Sequence, residues 1–235
     1  MRKQRTDGQE TRQRLLAAAS EVFAEKGFWE TTNADICKKA GVNTAAVNYH
    51  FGSKEELYIE AWKYSFERSI AAHPHDGGIT PEAPVGQRLH GWILAFMHRI
   101  GDPNNYEVEI MHKEIANPTG LLTETIHKSI EPINEGIKSI IEKLLGDSAN
   151  KQRISLCLMS ILGQCFGPML HLRRARTEPD SPRPDDLPLE FGVEEIANHV
   201  TQFSLAGIRG VCEESKQLRK TFKNKQAKVD ASKRR

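Results

Sequence analysis

Six residues in one short stretch, Asn43, Thr44, Ala45, Asn48, Tyr49 and His50, carry side chains suited to reading a DNA duplex. The Asn48 carboxamide matches the adjacent donor and acceptor on an adenine edge. Thr44 and Ala45 are small enough to touch bases or a thymine methyl. Tyr49 and His50 stand later in the stretch, where side chains reach phosphates. Val47 reads as the inward anchor, with Ile36, Ala40 and Val42 behind it. Lys54, the backbone amides following Ser53, and Thr32 are further groups suited to phosphate oxygens.

Such a surface works only if a helix presents it and neighbouring helices hold that helix in a major groove. The flanking sequence supplies those helices. Residues 11–26 place Leu15, Leu16, Ala19, Val22 and Phe23 on one helical face, and Gly27 is the left-handed stop, with Phe28 packing back behind it. Thr32 is an N-cap for a second helix ending near Ala40, and Asp35 in its first turn favours the positive helix end. Gly41 makes the turn, and Asn43 caps a third helix over 44–50. Ser53 and Glu56 have the spacing of a capping box opening a fourth helix to about Ala71, with Leu57, Ala61, Tyr64 and Ser65 inward.

The order of these signals (a helix, then TT-x-x-D-I, A-G-V, an aromatic-rich reading helix, and F-G-S-K-E-E-L opening a long helix) resembles the TetR family of transcriptional regulators over residues 11–60. Asn48 departs from the family pattern, in which Tyr is usual at that place. The residues from Glu114 to Thr119, and Pro132, resemble the CecR-like subgroup. The resemblance implies an all-α chain with an N-terminal three-helix helix-turn-helix DNA-binding domain at 11–60, preceded by a basic arm over 1–15. It further implies a helical effector-binding and dimerisation domain over 61–213. Its partners would be double-stranded DNA with a palindromic operator, a small-molecule effector and a second copy of the chain. Repression is the commoner mode of the family.

Beyond a turn-rich stretch at 73–84 only helical periods appear. Val85, Leu89, Trp92, Ile93, Phe96 and Ile100 stripe one helix; a second covers about 105–116. Pro118 suits the first turn of a third that runs to Leu145, and Pro132 should kink it. Residues 149–173 are apolar nearly all round, which predicts burial on more than one side. The inward pattern nominates Trp92, Phe96, Tyr106, Ile110, Ile133, Ile137, Cys157, Ile161 and Cys165 as effector lining, although such stripes are more often plain core. Small and apolar residues on the last two helices nominate Met159, Gly163, Phe166, Gly167, Val193, Ile196, Val200, Phe203 and Gly207 as the dimer face, a four-helix bundle of two helices from each chain. Two ordinary core helices of a monomer are the alternative. Two-fold pairing suits a duplex, whose half-sites recur about 34–36 Å apart.

Composition bounds the rest. The four cysteines lie inside helical patterns and read as reduced, small apolar side chains. There is no Gly-rich phosphate loop, no Gly-x-Ser-x-Gly and no Cys-x-x-Cys, so an enzyme reading has nothing to rest on. A helical adaptor without DNA binding is the other rival, and the polar outward set of the reader stands against it. Glu109 and His112, with His98 and His127 near in pattern, could form a metal cluster but read as a solvated face; no metal or cofactor is expected. No signal sequence or membrane span is expected, and the expected compartment is the cytoplasm. The net charge of +2 hides +8 on 216–235 and +3 on 1–14, leaving −9 between. Residues 174–188 read as a charged, Pro-rich loop, and 214–235 as a disordered basic tail that either solubilises the chain or contacts phosphates.

Overall fold

Helical periods and capping signals in the sequence become helices throughout the molecule, a computed structural model that describes the backbone over residues 2–177 and 191–233. Side chains are described over 8–172, 191–219 and at 221. Among the described residues there are nine α-helices, one 3-10 turn and no strand. They are α1 (Arg2–Glu30), α2 (Asn33–Ala40), α3 (Ala45–Phe51), α4 (Lys54–Ala72), α5 (Val85–Gly101), α6 (Glu107–Ala116), α7 (Thr123–Leu145), the 3-10 turn Gly146–Ser148, α8 (Lys151–Thr177) and α9 (Val193–Lys233).

Two compact units result. The first takes in Met1–Pro74 and His98–Pro132; the second takes in His75–Met97, Ile133–Leu172 and α9. The core of the first is one apolar cluster in which Leu15, Ala19 and Phe23 of α1 meet Ile36 of α2, Val47 of α3, Leu57, Tyr58 and Trp62 of α4, and Ile110 of α6. Phe23 and Tyr58 meet edge to face at 4.7 Å. In the second unit, Trp92 stacks on Phe96 at 5.0 Å, and Phe96 meets the edge of Phe166 of α8 at 5.2 Å. Gly91 of α5 is required by a close approach, because a side chain there would run into Ile79 and the Asp76 carbonyl.

Several boundaries differ from the sequence expectation. α1 is helical from Arg2, so the backbone over 2–15, where a basic arm and the start of the first helix were expected, is helix; the side chains of Arg2, Lys3 and Arg5 lie outside the described residues. Gly27 takes φ 76°, as its position requires, and one further turn follows it to Glu30. Pro118 does not open a helix. α7 begins at Thr123 because residues 119 and 120 turn their amides onto the Glu114 carboxylate, with Gly120 at φ 77°. Pro132 lies within α7.

α8 continues to Thr177, and the remainder of the expected loop over 174–188 lies outside the described residues. The backbone beyond Glu214 is not irregular: α9 runs unbroken to Lys233, since that stretch has neither Pro nor Gly and is rich in Lys, Gln, Arg and Ala. Lys151–Leu172 of α8 would be long and apolar enough to cross a bilayer on length and composition alone. Its Cys157, Leu158, Ile161, Cys165 and Met169 are buried, whereas Leu156 and Met159 are exposed, so the helix buries one face and not the several that its all-round apolar pattern predicted.

Candidate nucleic-acid interface

α2 and α3 are set by local chemistry. The Thr32 side chain accepts from the Asp35 amide at 3.1 Å, and the Asp35 carboxylate accepts from the Thr32 amide at 3.1 Å and from its hydroxyl at 2.8 Å. Those bonds, the hydroxyl's first, together with Lys26 at 3.1 Å, hold the Asp35 carboxyl at about 2, well below its ordinary value. Gly41 ends α2 in the left-handed conformation at φ 65°. The Asn43 side chain accepts from the Ala45 amide at 2.9 Å and so opens α3. At α4 the Ser53 hydroxyl accepts from the Glu56 amide at 3.1 Å, the half of the expected capping box that is present.

Tertiary contacts then fix the reader. Val47 and Phe51 turn inward from α3. Arg12 of α1 lies 4.9 Å over the Phe51 ring and pairs with Glu60 of α4 at 3.1 Å. Lys39 at the end of α2 pairs with Glu21 and Glu25 of α1. What remains outward on α3 and its approach is the expected set: Asn43, Thr44, Ala45, Asn48 and Tyr49 are exposed, Tyr49 at 84%, and His50 is half-buried with Tyr49 edge-on to its ring.

Two residues expected at phosphates are occupied within the chain. Lys54 Nζ donates to the carbonyls of Phe28 at 3.1 Å and Thr31 at 3.0 Å, and sits 4.1 Å over the Phe28 ring. It braces the start of α4 against the α1–α2 junction. The Thr32 hydroxyl donates to Asp35, leaving no hydrogen for a phosphate in this arrangement.

α4 is fastened to α6 at two places that the sequence alone did not reveal. Near its start, the Tyr58 hydroxyl donates to Glu114 at 3.1 Å, and the same carboxylate takes the Thr119 and Gly120 amides at 2.9 and 3.0 Å and the Thr119 hydroxyl at 2.9 Å. Burial, followed by the Glu114 charge, pushes the Tyr58 phenol upward. Near its end, Ser69 donates to Glu107 at 3.3 Å and accepts from Arg99 at 3.1 Å and Asn105 at 2.9 Å; Arg99 pairs with Glu107 at 2.5 Å. Burial raises the Glu107 carboxyl, and Arg99 opposes the rise. The turn-forming run Asn117-Pro118-Thr119-Gly120, whose amides need an acceptor, was the available signal for Glu114.

The nine effector candidates are divided between the two units. Ile110 belongs to the core of the first unit and Tyr106 packs against that core, whereas the other seven belong to the second unit. There, burial pushes the Cys165 thiol up to about 12 and raises Cys157 as well, so both behave as small apolar side chains. A hollow of about 200 Å³ between α8 and α9 mixes the two expected groups, being lined by Cys157 and Ile161 together with Phe203 and Gly207. Of the dimer candidates, Met159, Gly163, Gly167, Phe203 and Gly207 are exposed; Phe166, Val193 and Ile196 are half-buried, and Val200 is buried. His98 stacks on His73, and among the described residues no three His, Cys, Asp or Glu side chains are grouped as a metal ion requires.

Residues 15–61 match the family model of bacterial regulatory proteins of the tetR family, and residues 85–208 match the C-terminal domain of the HTH-type transcriptional dual regulator CecR. CecR of Shigella flexneri is 46% identical over 67% of this chain and 74% of its own length. SrpR of Pseudomonas putida, an HTH-type transcriptional regulator, is 30% identical over 52% of this chain; the match spans 54% of SrpR, about half its length. A TetR-like regulator from Rhodococcus sp. RHA1 shares the fold at TM-score 0.64 and 19% identity, with 85% of this chain and 96% of that one covered. AibR, solved with isovaleryl coenzyme A and operator DNA, shares it at TM-score 0.62 and 16% identity, covering 83% and 97%.

Proposed function

The chain belongs to the TetR family of DNA-binding transcriptional regulators and carries a CecR-type C-terminal domain, and from that premise we propose that it is a homodimeric repressor released from a palindromic operator by a small-molecule effector. The carrying observation is the division of α3: Val47 and Phe51 hold it from within, while Asn43, Thr44, Ala45, Asn48 and Tyr49 face outward. Asn48 reads a base edge, Thr44 and Ala45 touch neighbouring bases, and Tyr49 and His50 hold phosphates. Thr32 reaches a phosphate only by giving up Asp35. Lys54 acts mainly as a brace.

The second copy covers the exposed Leu156, Met159 and Phe203 on α8 and α9. Burying such side chains contributes about 1.5–3 kcal/mol each. An effector works by preferring one of two states of the dimer, and a tenfold loss of operator binding takes about 1.4 kcal/mol of coupling. Because α4 is fastened to α6 at both ends, the two helices move together and carry the reader with them. AibR, which holds both an acyl-coenzyme A and operator DNA, supports the effector part of this reading. The closeness to a dual regulator favours a second reading, in which the same protein activates at some promoters. The cytoplasm is the compartment this function requires.

The test is selection of bound duplexes from a random pool with the full chain, followed by footprinting and transcription from the selected site. The expected result is a two-fold symmetric site protected by a dimer, with transcription lowered. A monomer with no preference over random competitor would overturn the proposal.

A further inference from the structure

At the α1–α2 junction the structure leaves one large side chain without a role. Trp29 is 66% exposed, although its neighbour Phe28 is buried and meets it edge to face at 5.3 Å. Its position is tied to the reader. The run from Tyr49 through the Gly52 turn ends at Lys54, and Lys54 is hydrogen-bonded to the carbonyls of Phe28 and Thr31, the residues on either side of the 29–30 pair. These bonds put the backbone of the 28–31 segment beside the start of α4, which follows α3 directly, on the edge where a duplex backbone would border the groove that α3 enters.

Two of the residues expected to donate to phosphates along this edge, Lys54 and Thr32, have their donors spent internally. Lys54 holds two carbonyls and the Phe28 ring; the Thr32 hydroxyl and amide are held by Asp35. Among the described residues the Trp29 indole N–H has no hydrogen-bond partner. An indole offers a flat apolar body together with one donor, which fits a deoxyribose and its phosphate oxygen.

We propose that Trp29 is a further DNA contact: its ring lies against the sugar–phosphate backbone beside the groove, and its N–H donates to a phosphate oxygen. This inference rests on α3 being the reader. Because the group is neutral, the contact displaces no counterion, unlike a lysine contact. It adds affinity without base preference.

The protein contains its own probe. Of its three tryptophans, Trp62 and Trp92 are 1% and 3% exposed, so acrylamide quenching of intrinsic fluorescence reports Trp29. The full chain is titrated with the duplex selected as above. Saturation should lower the accessible fraction of the emission roughly twofold or more, and Trp29→Phe and Trp29→Ala should abolish most of the quenchable signal. Trp29→Phe should bind the selected and a random duplex each several-fold more weakly, with the slope of affinity against salt unchanged. Quenching of the parent that is unaltered in the saturated complex, variants that bind as the parent does, or a reduced salt slope would each overturn the contact while leaving α3 as reader. Failure to bind any duplex would remove both.

Discussion

The two compact units solve the burial problem differently. The first packs one core cluster and leaves Trp29, Tyr49 and Ile115 exposed singly on three different helices, and its polar contacts run between neighbouring helices: Arg12 to Glu60, Lys39 to Glu21, Lys54 to Phe28 and Thr31, Tyr58 to Glu114, and Arg99 to Glu107. The second buries comparable aliphatic side chains but leaves Leu156, Met159 and Phe203 on its surface, beside glycines that permit close approach. The lesson is that one unit is specified by pairings inside the chain, whereas the other has an apolar face that the described residues do not cover. An ion pair lost in the first should cost folding; a charge placed on that face of the second should cost association and spare folding.

The largest effect expected from breaking this contrast is at Arg99. Arg99→Met leaves Glu107 buried without its cation and should cost about 3–5 kcal/mol at neutral pH, read by urea unfolding. The pH dependence sharpens the point. Burial already raises the Glu107 carboxyl, and loss of Arg99 raises it further. A carboxyl whose folded value lies above its unfolded value contributes stability fully present below the unfolded value and lost as pH rises through the folded one. The destabilisation of Arg99→Met should therefore be greatest in alkaline solution and shrink towards the acid side, and a penalty independent of pH would count against the buried-pair account.

Next comes the exposed face of the second unit. Phe203→Glu should raise the dimer dissociation constant about 100-fold or more, seen by sedimentation, with the circular dichroism melt of the monomer little altered. Loss of helical signal instead would mean that the face is part of the fold. A smaller effect is expected on the reader surface. Tyr49→Ala should weaken binding about tenfold on every duplex, whereas Asn48→Ala should relax preference at one base pair, measured by competition among single-base variants of the selected site.

The smallest effect is at the start of α2. Thr32→Ala should cost about 1 kcal/mol through loss of its cap. Asp35 is depressed to about 2, so its contribution is present above its ordinary value of 3.8 and fades as pH falls from there through about 2. The difference between melts of Thr32→Ala and the parent should therefore narrow in that acid window, leaving the part due to the Asp35 amide's bond to the Thr32 hydroxyl.

The reader was legible because its determinants are local. Thr32, Asp35, Gly27, Gly41 and the inward Val47 act across at most four residues, and helical period fixes which of Asn43 to His50 face away from the core. Lys54 was misplaced for the opposite reason: a lysine one residue past a cap looks solvent-facing until its carbonyl partners, 23 and 26 residues earlier, are brought beside it. Ile110 among the effector candidates shows the same dependence on packing. It carries the stripe of any core helix, and only packing puts it in one cluster with Leu15, Phe23 and Tyr58.

The amino-acid order by itself determined that the chain is helical, where α2, α3 and α4 begin and stop to within about a residue, and which face of α3 is free, since each depends on bonds and spacings within a turn or two. Tertiary structure decided where the charges go. Glu114 reaches Tyr58 across 56 positions, and Ser69 reaches Glu107 across 38. No periodicity encodes such partners, because a buried carboxylate settles wherever packing brings enough donors within hydrogen-bonding distance.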